Sequence, residues 1–307
     1  MTKEEKVMHI LRSYSWLTFC VIVWGSNFVF GKILVEYFSP TVLTMLRFVS
    51  IVIFLLALAF FYHQGKKIER KTDWLLIIIL GIVGVFINQW SFFVGLETAD
   101  PTTAALILAT TPILAGVLAA IFLHEKITIR MGIGSIVAII GIFYVVTKGD
   151  FKELQIDEGL IWIVLTMVTF AIMIILTRYL GSRVDAFSIT IYSNIVALII
   201  SIPFTAFYIE PVRMEAPVSM WIFLVVTGVV VHGLATLIWN NHIRNVDASK
   251  ASILSNLEPF VAMVAGFILL QKPITLIELI GAFLIVFGVV LSTYQRKKYR
   301  DMTVIRK

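Results

Sequence analysis

Cysteine and charge are both scarce in this chain. Cys20 is the sole cysteine among 307 residues, so neither an internal disulfide nor a cysteine metal cluster can form. Its place inside an apolar run suits a small helix-packing residue. Charged residues make up 14% of the chain against 59% hydrophobic ones, and the mean hydropathy is +0.96. A water-soluble domain cannot present that surface, so the bilayer is the expected solvent. Catalytic signatures are missing too. There is no GxxxxGK[ST] phosphate loop and hence no direct ATP drive. No G-x-S-x-G nucleophile elbow occurs, and no His/Cys/Asp set has metal-ligand spacing. The expectation is therefore no enzyme, no cofactor and no metal. The net charge of +6 does not point to nucleic acid. The basic residues fall in short loops and the C-terminal segment, where membrane topology explains them.

What is present is a repeat. Shifted by 147 residues without a gap, Trp74 meets Trp221, Gly81 meets Gly228, Asp100 meets Asp247 and Ala104 meets Ala251. Pro112 meets Pro259, Ala115 meets Ala262, Ile127-Thr128 meets Ile274-Thr275, Gly134 meets Gly281 and Gly141 meets Gly288. The hydrophobic blocks coincide at the same offset, so two copies of one unit make the chain.

About 20 apolar residues are needed to cross a hydrocarbon core of roughly 30 Å. Ten runs qualify: 14–36, 41–62, 74–96, 102–122, 129–147, 159–180, 186–208, 218–242, 250–270 and 274–294. The first is too long for a cleaved signal peptide. With the N-terminus in the cytoplasm, 19 Lys and Arg fall on the inside and only Lys148, Lys152, Arg213 and Lys272 outside, with Lys32 and Arg47 within spans. The positive-inside rule thus sets both termini in the cytoplasm. The expected domains are a five-helix repeat at 1–147, an outside linker at 148–158 and a second five-helix repeat with a basic tail at 159–307. Five is odd, so the second copy enters from the opposite side. The fold class expected is all-α integral membrane, ten transmembrane helices as two inverted five-helix repeats, the architecture of many alternating-access transporters.

Several segments resemble a known family. Trp24-Gly25-Ser26-Asn27-Phe28 and Arg47-Phe48 are similar to the opening motifs of the EamA family, in the drug/metabolite transporter superfamily. The stretch from Pro101 to Ile113, followed by Glu125 and Gly134, resembles its helix 4–5 signature, and the stretch from Asp247 to Pro259 repeats it in helix 9. The family often carries an acid after both helix 4 and helix 9. Here Glu125 fills the first position and Lys272 the second, which puts a symmetric role for that acid in doubt. The resemblance implies efflux of a small organic metabolite. It also implies a cavity walled mainly by helices 1, 2, 3, 6, 7 and 8, with 4, 5, 9 and 10 as scaffold.

Polar side chains in hydrocarbon are expensive and mark candidate sites. Asn27, Arg47, Asn88 and Gln89 come out at one depth, roughly 20 Å above the cytoplasmic boundary at about 1.5 Å per residue. His232 and Glu258, with Asn256 close by, come out lower, and Asn194 is the repeat-mate of Arg47. Arg47 stays protonated. It either snorkels to the outer headgroups or meets a substrate carboxylate in bidentate geometry. Glu258 precedes Pro259, which removes a helical hydrogen bond and favours a kink. The pair Glu258 and His232 is the candidate proton-coupling set, or else a structural tie between helices, as is a Glu258–Lys250 contact. Trp24 and Trp90, with Trp239, Phe28, Phe92 and Phe93, either line an amphipathic cavity or pack against lipid and helices. Trp16, Trp74, Trp162 and Trp221 read as interfacial anchors. Ala104, Ala105, Ala109, Gly116, Ala251, Ser252, Ala262 and Gly266 read as packing positions.

The sequence thus points to a secondary active transporter exporting a small organic metabolite, an amino acid or related compound, by alternating access with protons as the coupling ion. Its setting is the cytoplasmic membrane of a bacterium, with membrane lipids around it and oligomeric state open. The rivals are an uncoupled facilitator of the same substrates and a membrane enzyme acting on lipid-linked substrates.

Overall fold

The structure, a computed structural model, describes residues 3–62, 68–122, 127–148, 157–208, 211–242 and 254–293. Asp247, Lys250, Ala251, Ser252, Glu125, linker residues 149–156 and the basic segment 294–307 lie outside the described residues. All regular structure in the described residues is helical: α1 Lys3–Tyr37, α2 Pro40–Tyr62, α3 Lys71–Thr98, α4 Pro101–Phe122, α5 Ile129–Val146, α6 Glu158–Leu180, α7 Ala186–Phe207, α8 Val218–His242, α9 Glu258–Leu270 and α10 Leu276–Thr293. In hydrocarbon each backbone N–H and C=O must be satisfied within its own segment, and a helix does this. Among the described residues nine of these helices are long and apolar enough to cross a membrane. The described part of α9, at 13 residues, is shorter, so the tenth expected span is seen only in part.

Local signals place the helix starts. Asp100 accepts from Thr103 N–H at 2.9 Å, with Pro101 as the first helical residue. Asp157 accepts from Gly159 N–H at 2.8 Å and Asp185 from Ser188 N–H at 2.9 Å. These are N-caps that fill otherwise orphaned donors. At the end of α9, Gln271 turns left-handed at φ 52°, and Lys272 N–H closes back on Gly266 O at 3.3 Å.

The offset of 147 reappears in the backbone. α3 is π-helical over Leu80–Ile87 and α8 over Gly228–Leu234; the shift carries Gly81 to Gly228 and Ile87 to Leu234. α4 is interrupted at Ala109-Thr110, just before Pro112, and the chain turns at Asn256-Leu257, just before Pro259. The same shift relates these breaks. The kink expected at Pro259 therefore occurs in both copies, and span 102–122 is two helical pieces rather than one rod, because proline withholds the amide that would bridge the turn.

Packing follows the repeat as well. α1 packs on α9 as α6 packs on α4; α2 packs on α8 as α7 packs on α3; α3 packs on α6 as α8 packs on α1. α2 meets α7, and α5 meets α10, each pairing an element with its own counterpart. The α5–α10 contact is the tightest of these. A methyl on Gly134 would lie 2.4 Å from Gly288 O, and one on Gly141 would lie 3.0 Å from Gly281 O. Residue numbers rise along α5 as they fall along α10, so the two helices cross antiparallel on paired glycines. Small residues at such a crossing let backbones touch, which supplies dispersion contacts where lipid offers no hydrophobic drive.

Candidate functional site

Arg47 is the centre of the polar interior. It is 1% exposed and has the largest side chain among the fully buried ones. α2 carries it inward beside Gly228 on the π-helical part of α8, where a methyl would lie 3.8 Å from the Arg47 Cα. Snorkelling to a headgroup is therefore not what the side chain does. Its Nη2 donates to Asn27 Oδ1 at 3.3 Å and meets His232 Nδ1 at 3.0 Å. The guanidinium carbon lies 5.2 Å from the centre of the Phe93 ring, a cation–π contact. The Gln89 amide abuts the other ring nitrogen, His232 Nε2. Arg47 Nε and Nη1 and one end of the Gln89 amide are buried without a partner. Among the described residues no carboxylate pairs with Arg47.

Four expected residues thus converge, from α1, α2, α3 and α8: Asn27, Arg47, Gln89 and His232. His232 was expected one level lower. A ruler of constant rise misplaces it, because tilt and the π-helical segment both change depth per residue. The remaining candidates lie elsewhere. Asn88 donates to Thr166 O at 2.9 Å and Thr169 Oγ1 at 3.1 Å, and with Ser91 and Thr166 at 2.8 Å it forms a polar seam between α3 and α6. Residues 88 and 89 share a depth but face directions about 100° apart, as one helical step requires. Trp90 packs edge-on against Trp162, Phe204 and Tyr208. Asn194 returns its amide to Thr190 O of its own helix at 2.8 Å. Trp24 donates its indole N–H to Val231 O at 3.0 Å and lies 5.0 Å from Trp239.

Glu258 and His232 are not joined. His232 is held by Arg47 and Gln89. Glu258 opens α9 with its backbone oxygen against Gly25 of α1, and its carboxylate meets no described partner. A shared proton between the two, and a direct Glu258–His232 tie, are therefore corrected: proline places residue 258 at the start of α9, facing α1. Of the expected anchors, Trp16 is stacked on His242 and Trp74 lies tilted against Tyr192, both partly exposed, whereas Trp221 packs edge-on against Phe38.

Cross-ties between helices lie toward both ends of the bundle. At one end all five connections between helices are tied together. Ser39 N–H donates to Arg213 O at 2.9 Å, and Arg213 pairs with Glu97. Thr98 donates to Asp157 at 2.5 Å. Lys272 bridges Asp100 at 2.7 Å and Glu278 at 2.5 Å. Lys32 caps the end of α3, donating to Leu96 O at 2.8 Å and Glu97 O at 2.9 Å, where a cation complements the helix terminus. At the other end α1 is zipped to α8 by Ser13 and His242 at 3.1 Å, by Cys20 on Ala235 O at 3.3 Å, and by the Trp24–Val231 bond. None of these cross-ties was visible in the sequence. Apart from the local Lys272–Glu278 pair, their partners stand between 59 and 229 residues apart, and no short motif encodes such a distance. A separate groove of about 460 Å³ between α2 and α8, lined by Leu46, Ser50, Phe54, Trp221 and Val229, is apolar and open on the bundle surface.

This arrangement, a repeated helical bundle around the buried Arg47, is that of a multi-pass membrane transporter. The family model for the EamA-like transporter family matches residues 11–147 and 157–294, and the chain belongs to that family. It is 31% identical over 93% of its length to the protein of Bacillus subtilis named as the uncharacterized transporter YyaM, covering 95% of that protein. It is 25% identical to a Rickettsia bellii protein named as an S-adenosylmethionine uptake transporter, with 94% of this chain and 97% of that one covered. A solved crystal structure matches with a TM-score of 0.65 at 18% identity, over 90% of this chain and 95% of that one, and it speaks to the fold alone.

Proposed function

We propose that this chain is a secondary transporter of the bacterial cytoplasmic membrane that carries a small organic metabolite bearing a carboxylate through a central site on Arg47. One observation carries the reading: a buried guanidinium with two unpartnered nitrogens and no described counter-ion. A buried charge without a partner costs several kcal/mol, and a solute that supplies the missing anion relieves that cost.

The cycle is alternating access by two inverted repeats, with both termini cytoplasmic. Its support is the antiparallel crossing of α5 on α10 and the exchange symmetry of the packing. The two sets of cross-ties differ in chemistry, ionic at one end and aromatic and neutral at the other, which suits a cycle in which one end opens while the other holds. Transport direction, export included, follows the solute gradient in such a carrier. The separation of Glu258 from His232 favours a facilitator that needs no proton relay between them.

Thr236 lies one helical turn beyond His232 on α8. In a Cys20→Ala, Thr236→Cys chain held in oriented vesicles, membrane-impermeant thiol reagents label the site from either side, and a transported solute shifts the ratio. Labelling from one side only, with or without solute, rules out alternating access.

A further inference from the structure

The open hydrogen-bonding groups of the Arg47 centre are all of one kind, and this narrows the ligand; the inference rests on the reading that this centre binds the transported solute. Arginine has five N–H groups and no acceptor. His232 Nδ1, which faces Arg47 Nη2 at 3.0 Å, must therefore accept, and the imidazole proton sits on Nε2. The Gln89 amide abuts that Nε2, so complementarity turns its carbonyl oxygen toward the ring. The NH2 then occupies the end of the amide that has no partner. Asn27 Oδ1 is already engaged by Arg47. What remains open is Arg47 Nε, Arg47 Nη1 and the Gln89 NH2, three donor groups. The side-chain acceptors Asn27 Oδ1 and Gln89 Oε1 each already take a donor, and every group left without a partner is a donor.

We infer that the ligand is an organic anion, a carboxylate that carries no ammonium group. A zwitterion would bring a second cation beside Arg47, where the unpartnered groups are all donors. Glu258 does not serve. Its backbone is held against Gly25. Gly25 and Asn27 stand two residues apart, roughly 200° around α1, so Glu258 starts on the far side of a helix about 10 Å thick. At the ionic end Glu97 is paired with Arg213 and Asp100 with Lys272. Around the donors the surfaces are aromatic: Phe93 lies under the guanidinium, Phe92 is 5.3 Å from Phe93, and Phe28 is 5.5 Å from Phe92. The body of the anion is therefore apolar.

Two sets of compounds with a common body and different charge test this. One is 3-phenylpropionate, phenylalanine, phenethylamine and 3-phenylpropanol; the other is hexanoate, norleucine, hexylamine and hexanol. Equilibrium dialysis of each labelled compound against the full chain in nanodiscs should show the anion bound at least tenfold more tightly than its zwitterion in one set or both. The preference should vanish in Gln89→Glu, a near-isosteric change that gives Arg47 an internal anion, with the variant still monodisperse. Equal or tighter binding of the zwitterion, or no binding of either anion, overturns the inference. Preference for the anion that persists in Gln89→Glu overturns its assignment to this centre. Arg47-dependent exchange of a zwitterion across liposomes leaves the transporter reading standing and removes only the anion. Zwitterion binding that survives Arg47→Gln removes the central site as well.

Discussion

Arg47 and His232 meet at 3.0 Å, and that contact joins the first matched segment of the chain to the second beside the π-helical turn of α8. The cation is held by neutral acceptors and an aromatic face. A purely structural arginine at such a depth is normally paired; this one leaves two nitrogens open.

Arg47→Gln removes an uncompensated buried charge. If Arg47 serves ligand binding, the thermal unfolding midpoint of the empty protein stays level or rises, while solute binding drops at least tenfold. Arg47→Lys is no rescue, because a compact ammonium lacks the planar fork. A midpoint lowered by many degrees in Arg47→Gln would mark the residue as structural.

Asn27 and Asn88 should separate cleanly. Asn88→Ala strips the α3–α6 seam of two hydrogen bonds and is expected to cost about 1–3 kcal/mol in stability, with affinity unchanged in the folded fraction. Asn27→Ala is expected to weaken solute binding instead. Unfolding midpoints and dissociation constants measured on both variants check the contrast.

The glycine crossing of α5 and α10 tolerates no side chain. Gly134→Leu would drive carbon into the Gly288 carbonyl and should abolish a monodisperse peak in gel filtration, overpacking being worth about 1–3 kcal/mol or more. Gly132, where nothing lies within 4 Å of an added methyl, accepts alanine with a gain of about 0.4–1 kcal/mol.

Arg213 and Glu97 are 47% and 32% exposed, so their ion pair contributes only about 0–1 kcal/mol to stability. Its effect should be on access. Ser39 is fully buried beside Arg213. In a Cys20→Ala background, Ser39→Cys should react slowly with an impermeant thiol reagent. Adding Glu97→Arg should speed the reaction several-fold, and the swap Glu97→Arg with Arg213→Glu should slow it again.

Lys272, outside the spans, is held above the ordinary lysine pKa. Burial alone would lower it, but its hydrogen bonds to Asp100 and Glu278 outweigh that. A pKa raised by folding means that this tie is complete below the ordinary lysine value and is lost as pH climbs through the raised one. Amine acylation at alkaline pH should reach Lys272 later than exposed Lys148, and Asp100→Asn should narrow the gap.

The repeat was legible because a fixed offset survives in glycines and prolines whose backbone roles allow few substitutes. Gly81 and Gly228, Pro112 and Pro259 all mark equivalent breaks in the structure. Arg47, Asn27 and Gln89 were legible because polar groups in hydrocarbon stand out by composition. Asn88, Trp90 and Asn194 stand out equally, yet they face other helices, and rotation about a helix axis cannot be read from depth. The His232 contact and the cross-ties at both ends needed the fold, since each joins residues from distant helices.

The most direct measurement is counterflow of a labelled carboxylate in liposomes holding the purified chain, beside an Arg47→Gln chain of equal monodispersity. The account predicts saturable counterflow that falls at least tenfold without Arg47. Counterflow of equal rate in both chains would contradict it, and so would its absence from every carboxylate tried with the intact protein.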